Sequence, residues 1–243
     1  MGEPPAASAG IRADYAETPP PDPSTPWRQA DFCVVDFETT GLDPASDEII
    51  SFAALHIARG RLRLDDARYQ LIRPRRMPGR ETILIHGLRR AELVDAPSLD
   101  EALDGLLEAL TGRAMVAHVA SIEAGFLGAA LGEHGIPPIN PIIDTAALAG
   151  ELFRLRDQGR TAPVGLTPLA ETLGLPVHRP HEADGDALTT AQVFLALAAH
   201  LDQFSPQTVG SMERLSHRTR SRAPLRRAWR RLRRRLGLAN ARR

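Results

Sequence analysis

The sequence predicts an α/β fold, in which a mixed sheet is flanked by helices. Three segments of strand character come first, and strands then alternate with helices, which is the element order of a mixed sheet. At 243 residues with 43% hydrophobic content, the chain is long enough to bury one full core. We therefore expect one domain, with an additional segment at each end.

The spacing of apolar residues predicts each strand and helix in turn. An apolar run over 32–37 predicts a buried strand, and residues 48–74 predict a hairpin that turns near Arg59 and Gly60. The later elements are a helix over 98–110 capped by Ser98, a strand over 114–119, a helix over 121–133, a short strand over 141–144, a helix from Thr145, a short helix over 166–175 ended by Gly174, and a long amphipathic helix over 184–201.

The two ends of the chain differ in composition from the middle. Residues 1–30 are rich in proline and poor in apolar side chains, so we expect a disordered leader before a folded domain over 31–204. Residues 205–243 are the predicted tail. Its last 30 residues, 214–243, hold 13 of the 30 basic residues and no acid. The rest of the chain has 17 arginines against all 30 acids, a net charge of −13 that the overall charge of zero conceals.

The tail has the pattern of a basic amphipathic helix. Apolar side chains recur at helical spacing among arginines. They are Leu225, Ala228, Trp229, Leu232 and Leu236. Such a helix fits a phosphate backbone, an anionic membrane surface or an acidic partner, and the simplest alternative is a solvated, weakly folded tail. Among these alternatives we favour nucleic acid.

No feature of the sequence predicts a membrane segment or export. No apolar run approaches 18 residues, and the first residues lack a charged and then apolar signal. We expect a soluble, cytoplasmic protein. The single cysteine, Cys33, excludes an internal disulfide and lies within the first predicted strand, so we expect a buried, inert thiol.

Two acids stand at the end of the first strand, in the stretch CVVDFETTGL. Because successive side chains of a strand point to opposite faces, Asp36 and Glu38 point to the same face. Two like charges at the edge of a core repel each other, and one must take up a proton unless a cation lies between them. A solvated strand end is the simpler interpretation of this stretch alone.

Three later stretches add further acids and a histidine. Glu123 lies in the first turn of a predicted helix, Asp144 ends a predicted strand, and HEADGDAL holds His181 and Asp186. Helix capping suffices to explain Asp144, which we leave out of the site. The other acids bring the set to four carboxylates and one imidazole. Carboxylates bind Mg²⁺ or Mn²⁺, two such ions about 4 Å apart promote phosphodiester hydrolysis, and an imidazole accepts the proton of the attacking water.

The order of these residues resembles the DEDDh, or DnaQ-like, family of 3′→5′ exonucleases. The resemblance extends from about Phe32 to His200 and is most specific in VVDFETTGL and HEADGDALTTAQVF, with ILIHGL at 83–88 as a weaker match. It implies a ribonuclease H-like, mixed five-stranded sheet and a metal-dependent exonuclease. The substrate implied is the 3′ end of DNA or RNA, in proofreading, DNA repair or RNA trimming.

The resemblance also implies roles for individual residues. Asp36, Glu38 and Asp186 match metal ligands of the family, with Glu123 at the position of the remaining one, and His181 matches the general base. The residues Thr39, Thr40, Gly41 and Leu42 match the segment that meets the terminal nucleotide, with Gly41 permitting close approach. The implied cofactors are two divalent metal ions, Mg²⁺ or Mn²⁺.

One motif departs from the family pattern. Where the family has histidine, asparagine, alanine, any residue, phenylalanine and aspartate, this chain has HVASIE, so Val119 replaces asparagine and Glu123 replaces the aspartate. Glutamate keeps the charge on a stem one methylene longer, so we expect activity with an altered rate or metal preference. The alternative is a catalytically weakened protein of this fold that serves as a nucleic-acid-binding or polymerase-associated module.

Overall fold

A single five-stranded sheet organises the molecule, in a computed structural model that describes residues 6–156 and 161–220. The strand order is β3-β2-β1-β4-β5, with β2 antiparallel to both of its neighbours and β4 parallel to β1 and β5. The sheet is therefore mixed, as the sequence predicts. The strands are β1 (Asp31–Thr39), β2 (Ile49–Ala58), β3 (Arg61–Leu71), β4 (Ala114–Ala117) and β5 (Ile142–Asp144).

Helices cover both faces of the sheet, and an apolar core lies between the sheet and the helices on each face. Alternation along β1 directs Phe32 and Val34 to one core and Cys33 and Val35 to the other. The first core contains side chains of α6 (Thr145–Arg156), α7 (Leu166–Thr172), α8 (Ala183–Asp202) and α9 (Val209–Arg220). The second contains side chains of α1 (Ala6–Glu17), α4 (Leu99–Leu110) and α5 (Ser121–Glu133), while α2 (Arg80–His86) and α3 (Arg90–Leu93) lie between β3 and α4 in the chain.

Most of the predicted elements are confirmed within a few residues. The hairpin turns at Arg59 and Gly60, both with positive φ, and the Ser98 cap begins α4 by exchanging bonds with Glu101. Cys33 is buried as expected, and burial raises the pKa of its thiol to about 12. Four helices of the described residues, α1, α2, α3 and α9, are not predicted by the sequence pattern.

The disordered leader predicted for residues 1–30 is wrong for the part that the structure describes. Tyr15 of α1 is fully buried, and its hydroxyl donates to Asn140 Oδ1 at 2.7 Å and accepts from the Ile139 amide at 3.2 Å. Trp27 is buried against Phe194. Composition alone missed this because two aromatic side chains supply a large buried area to a segment that is otherwise polar.

The predicted domain boundary at residue 204 is also too early. The leader and the start of α9 are joined by backbone hydrogen bonds from Trp27 N to Gln207 O and from Val209 N to Thr25 O, both 3.1 Å. Ser216 of α9 is buried, and its hydroxyl accepts from the Asp144 amide at 2.8 Å. The folded body thus includes α1 and α9. The basic helix predicted within 223–238 lies outside the described residues.

No helix within residues 6–156 and 161–220 is long and apolar enough to span a membrane.

Docking of α1 yields a stability prediction. Tyr15→Ala removes a fully buried ring and two hydrogen bonds, so the free energy of unfolding should fall by about 3 kcal/mol. Tyr15→Phe keeps the ring and should cost about 1 kcal/mol. Urea denaturation measures both, with Tyr69→Ala as the control because Tyr69 is 48% exposed. A Tyr15→Ala protein as stable as wild type would show that α1 is not docked.

Candidate active site

Three carboxylates meet where β1 ends and α8 begins. Asp36 and Glu38 pair with Ala53 and Ser51 of β2 and point toward the face that α8 covers. Asp186 lies in the first turn of α8. One oxygen from each of Asp36, Glu38 and Asp186 lies within 4.8 Å of the others, and all three side chains are half-buried. The fold thus brings together Glu38 and Asp186, which are 148 residues apart in the sequence.

The local electrostatics disfavour three negative charges in this position. Burial, followed by Glu38, Glu123 and Asp186, raises the pKa of Asp36 well above its usual range. Burial and then Asp186 raise the pKa of Glu38 to about 8. No arginine forms an ion pair with any of the three within the described ranges. The cluster has the properties of a cation site: hard oxygen donors, close spacing and excess negative charge.

Glu123 lies beside this cluster rather than within it. It is in the first turn of α5, is 6% exposed, and its Oε2 is buried without a hydrogen-bond partner. Burial raises its pKa to about 8, with Asp144 and Glu38 adding to the effect. The structure therefore brings together three of the four predicted ligands, with Glu123 close enough to raise the pKa of Asp36. Its unpartnered oxygen fits a site that a cation completes.

His181 lies on an exposed loop that is bound to the cluster. Its backbone amide donates to Asp186 Oδ2 at 3.0 Å, and this bond opposes the increase in the pKa of Asp186 that burial causes. The backbone of His181 has a φ of 64°, a conformation that few non-glycine residues adopt. Arg179 donates to both Glu182 and Asp184, which ties the two ends of the loop together. His181 is exposed to solvent and lies close enough to Asp186 to oppose the increase in the pKa of that carboxyl.

Gly185 positions this loop, and the sequence analysis missed it. A Cβ at Gly185 would lie 2.4 Å from Arg179 O and 2.6 Å from His178 O, distances that no side chain tolerates. The loop therefore packs directly on the first turn of α8, where the His178 amide also donates to Thr189 Oγ1 at 3.0 Å. A glycine inside a helix, where it costs about 1 kcal/mol relative to alanine, was the available signal.

The segment Thr39–Leu42 forms a closed loop next to Glu38. Thr39 Oγ1 donates to Gly41 O, and Thr40 Oγ1 accepts from the Glu48 amide at 3.0 Å. A Cβ at Gly41 would lie 2.4 Å from the Asp47 carboxylate, so the missing side chain of Gly41 makes room for Asp47. Within the protein, this glycine permits loop closure, a role that the sequence analysis did not anticipate.

Asp144 serves the fold, as the sequence analysis expected. Its Oδ1 accepts from the Ala146 amide at 2.9 Å and from the Val119 amide at 3.0 Å, which fixes the start of α6 and the end of β4. Val119 has a φ of 57°, a strained conformation for a β-branched side chain. The backbone here thus adopts the left-handed conformation that asparagine tolerates better than valine.

Comparisons with known proteins agree with this geometry. The family model RNase_T, described as Exonuclease, matches residues 33–194. A DNA polymerase III PolC-type of Thermotoga maritima is 37% identical over 195 residues, which cover 80% of this chain and 14% of that protein. A DNA polymerase III subunit epsilon-like protein of Rhodobacter capsulatus is 31% identical over 191 residues, 77% of this chain and 26% of that protein. The chain thus spans about a quarter or less of either relative.

Solved structures share the fold. Exonuclease X in complex with 5′ overhanging duplex DNA superposes with a TM-score of 0.57 and 23% identity, over 76% of this chain and 98% of that one. E. coli Exonuclease I in complex with a dT13 oligonucleotide gives a TM-score of 0.65 and 17% identity, over 72% of this chain and 42% of that one. At these identities the likeness concerns the fold, including the mixed five-stranded sheet.

The repulsion within the cluster predicts how stability depends on pH. Because the pKa of Glu38 is raised from 4.5 to about 8, the folded protein without metal binds more protons than the unfolded chain. The contribution of Glu38 to stability is therefore fully present below about pH 4.5 and is lost as the pH rises through about 8. Asp36→Asn removes one of the repelling charges and should raise the melting temperature in chelator at pH 8 by about 3 °C.

Melting curves in chelator at pH 5 and pH 8 measure this effect, with Asp14→Asn on the exposed side of α1 as the matched control. Added Mn²⁺ should stabilise the wild type at pH 8 and have little effect on Asp36→Asn. An Asp36→Asn protein that is less stable than wild type at pH 8 in chelator would show that the carboxylates are not in conflict.

Proposed function

The chain belongs to the exonuclease family and is a nuclease, and on that premise we propose that it removes nucleoside 5′-monophosphates from the 3′ end of a nucleic acid strand. The match to the exonuclease family model confirms, at the level of the family, the resemblance found in the sequence motifs. The observation that carries the proposal is the cluster of Asp36, Glu38 and Asp186, with its oxygens within 4.8 Å, next to the His181 loop.

Two divalent ions, Mg²⁺ or Mn²⁺, are the cofactors that we propose. Asp36, Glu38 and Asp186 would hold them, and Glu123 would contribute its unpartnered oxygen directly or through water. When bound, such ions supply an activated water and offset the negative charge of the phosphate. The protein contributes the low-dielectric setting, because burial of the carboxylates strengthens their attraction for a cation.

His181 is the general base of the proposed reaction. Its imidazole is exposed beside the cluster, where it would accept the proton of the attacking water on a ring nitrogen. The bond from its backbone amide to Asp186 couples the position of the base to that of a metal ligand. Gly185 keeps the loop close to α8, so the base is held by backbone contacts while its ring remains free to reach the substrate.

The loop that begins at Thr39 would receive the terminal nucleotide. Its threonine hydroxyls and the Asp47 carboxylate hold the loop in shape, so Gly41 and Leu42 would meet the nucleotide without rearrangement. A preformed loop lowers the entropic cost of binding. The segment contains no group that reads a base, so we propose cleavage without sequence specificity.

DNA is the substrate that we favour, with RNA as the second choice. Exonuclease X and Exonuclease I are solved with DNA, and the curated relatives are named as DNA polymerase components. We propose a role in proofreading or DNA repair in the cytoplasm. The 13 arginines of residues 214–243 would contact phosphates or dock the enzyme on a polymerase or another replication partner.

A catalytically weakened binding module is the second candidate. The departures at Val119 and Glu123 favour it. Val119 adopts a strained conformation in the connection between β4 and α5, and Glu123, which is longer than the aspartate of the family, lies outside the three-carboxylate cluster. The presence of Asp36, Glu38, Asp186 and His181 favours the enzyme, since all four groups are needed only for chemistry.

Activity assays test direction and metal dependence together. On 5′-labelled single-stranded DNA with Mg²⁺ or Mn²⁺, the protein should produce a ladder of progressively shorter labelled products, whereas a 3′ label should appear at once as mononucleotide. Chelator and Asp36→Ala should abolish cleavage, and His181→Ala should reduce kcat at least 100-fold. His134→Ala, whose imidazole pairs with Asp100, is the control. Mononucleotides released first from a 5′ label would contradict the proposed direction.

Substitutions at Glu123 test whether the longer acid acts on the metal. Glu123→Gln keeps the shape and removes the charge, so the concentration of Mn²⁺ for half-maximal activity should rise 10- to 100-fold. Glu123→Asp restores the family residue and should keep kcat within about tenfold of wild type while changing the preference between Mg²⁺ and Mn²⁺. Wild-type turnover and metal dependence in Glu123→Gln would exclude Glu123 from the site.

A further inference from the structure

A second group of positive charges lies within the folded body, in the segment 73–90. This segment, which we call the arginine segment, holds six arginines and one acid, Glu81. Residues 1–213 contain only 17 arginines against 30 acids, so more than a third of their positive charge is concentrated in 18 positions. The segment is therefore a local cationic surface on an otherwise acidic body.

Internal pairing does not account for these charges. Arg75 contacts Glu48 at 3.6 Å and also pairs with Glu133. Arg76, Arg80 and Arg90 are exposed, and none of them lies within 4 Å of an acidic side chain in the part of the chain that the structure describes. The guanidinium groups of these three arginines thus remain available to an external anion.

The arginine segment is attached to the loop next to the carboxylate cluster. The Arg76 amide donates to Glu48 Oε2 at 3.0 Å, and the carbonyl of Glu48 accepts from the Thr40 amide at 2.9 Å. Thr40 is two residues beyond Glu38, a distance of about 7 Å along an extended backbone. Glu48 therefore connects the start of the arginine segment to the loop that carries a predicted metal ligand.

A glycine cap ends α2, the helix within the segment. Gly87 ends α2 in a left-handed conformation with φ of 75°, and its amide donates to Ile83 O. The buried His86 accepts from the Leu88 amide at 3.0 Å through Nδ1. Leu84, on the outer side of α2, is 77% exposed. Of the three exposed arginines, Arg80 begins α2, Arg90 begins α3 and Arg76 precedes both helices.

We propose that Arg76, Arg80 and Arg90 bind backbone phosphates of the nucleic acid whose 3′ end occupies the carboxylate site. This surface rests on the proposed function, because a nuclease must hold a polyanion against a body with a net charge of −13 over residues 1–213. Arginine suits the task, since its guanidinium group donates to two phosphate oxygens at once. The contacts are to the backbone, so they add affinity without sequence preference.

Binding measurements test the proposal independently of catalysis. Fluorescence anisotropy of a labelled 20-nucleotide single strand, in chelator so that no cleavage occurs, gives the Kd of the full-length protein at several salt concentrations. The triple variant Arg76→Gln, Arg80→Gln and Arg90→Gln should weaken binding at least tenfold at 100 mM NaCl. Its plot of log K against log salt should be shallower by about 2, because three phosphate contacts are lost.

A triple variant at the opposite end of the sheet provides the matched control. Arg59→Gln, Arg61→Gln and Arg63→Gln removes the same charge from the β2–β3 turn and the start of β3, away from the strand end that carries Glu38. It should leave the Kd within twofold of wild type. Equal weakening by both triples, or no change in either, would overturn the proposal.

Hydrolysis of the p-nitrophenyl ester of thymidine 5′-monophosphate distinguishes the binding role of the three arginines from catalysis at the carboxylate site. That substrate has no further phosphates, so the arginine triple variant should hydrolyse it at the wild-type rate. A wild-type protein that cannot hydrolyse it would count against the proposed function, while the anisotropy comparison would still decide the role of the arginines. Loss of this activity in the arginine triple variant alone would show that the arginines support the site, and would overturn the phosphate-binding role.

Discussion

Mutual repulsion among the carboxylates of Asp36, Glu38 and Asp186 is the physical feature that links the fold to the site. Their oxygens lie within 4.8 Å, and burial raises the pKa of all three carboxyls. A fold gains nothing from this arrangement in the absence of a cation, since dispersed acids would be more stable. The sheet and α8 nevertheless bring the acids together. Such an arrangement is typical of a binding site that is maintained at a cost in stability.

The surrounding elements keep the cluster and its neighbours in fixed positions. Asp144 fixes the end of β4 through the Val119 amide, and its own amide is tied to Ser216 of α9. Gly185 allows the His181 loop to lie on α8, and Glu48 joins the loop that begins at Thr39 to the arginine segment. Negative groups that attract metal ions and positive groups that attract phosphates thus lie on adjoining parts of the fold, an arrangement that suits hydrolysis of a polyanion.

Local patterns in the sequence predicted what depends on local chemistry. Alternation in β1 placed Asp36 and Glu38 on one face, and Ser98 marked the start of α4, because strand geometry and helix capping act over a few residues. Docking of Tyr15 and Trp27 was missed, since it depends on surfaces more than 100 residues away in the chain. Three further features could not be predicted from the sequence, because each depends on distances between separate elements. They are loop closure at Gly41, the loop contact at Gly185 and the position of Glu123 beside the cluster.

Anomalous diffraction from crystals soaked in Mn²⁺ and thymidine 5′-monophosphate locates the metal itself and so shows whether the three carboxylates form a cation site. We expect two anomalous peaks between the end of β1 and the start of α8, with oxygens of Asp36, Glu38 and Asp186 about 2.1 Å from manganese and Glu123 reaching one of the ions directly or through water. Crystals in which the carboxylates keep their positions and no manganese lies beside Asp36 would contradict it.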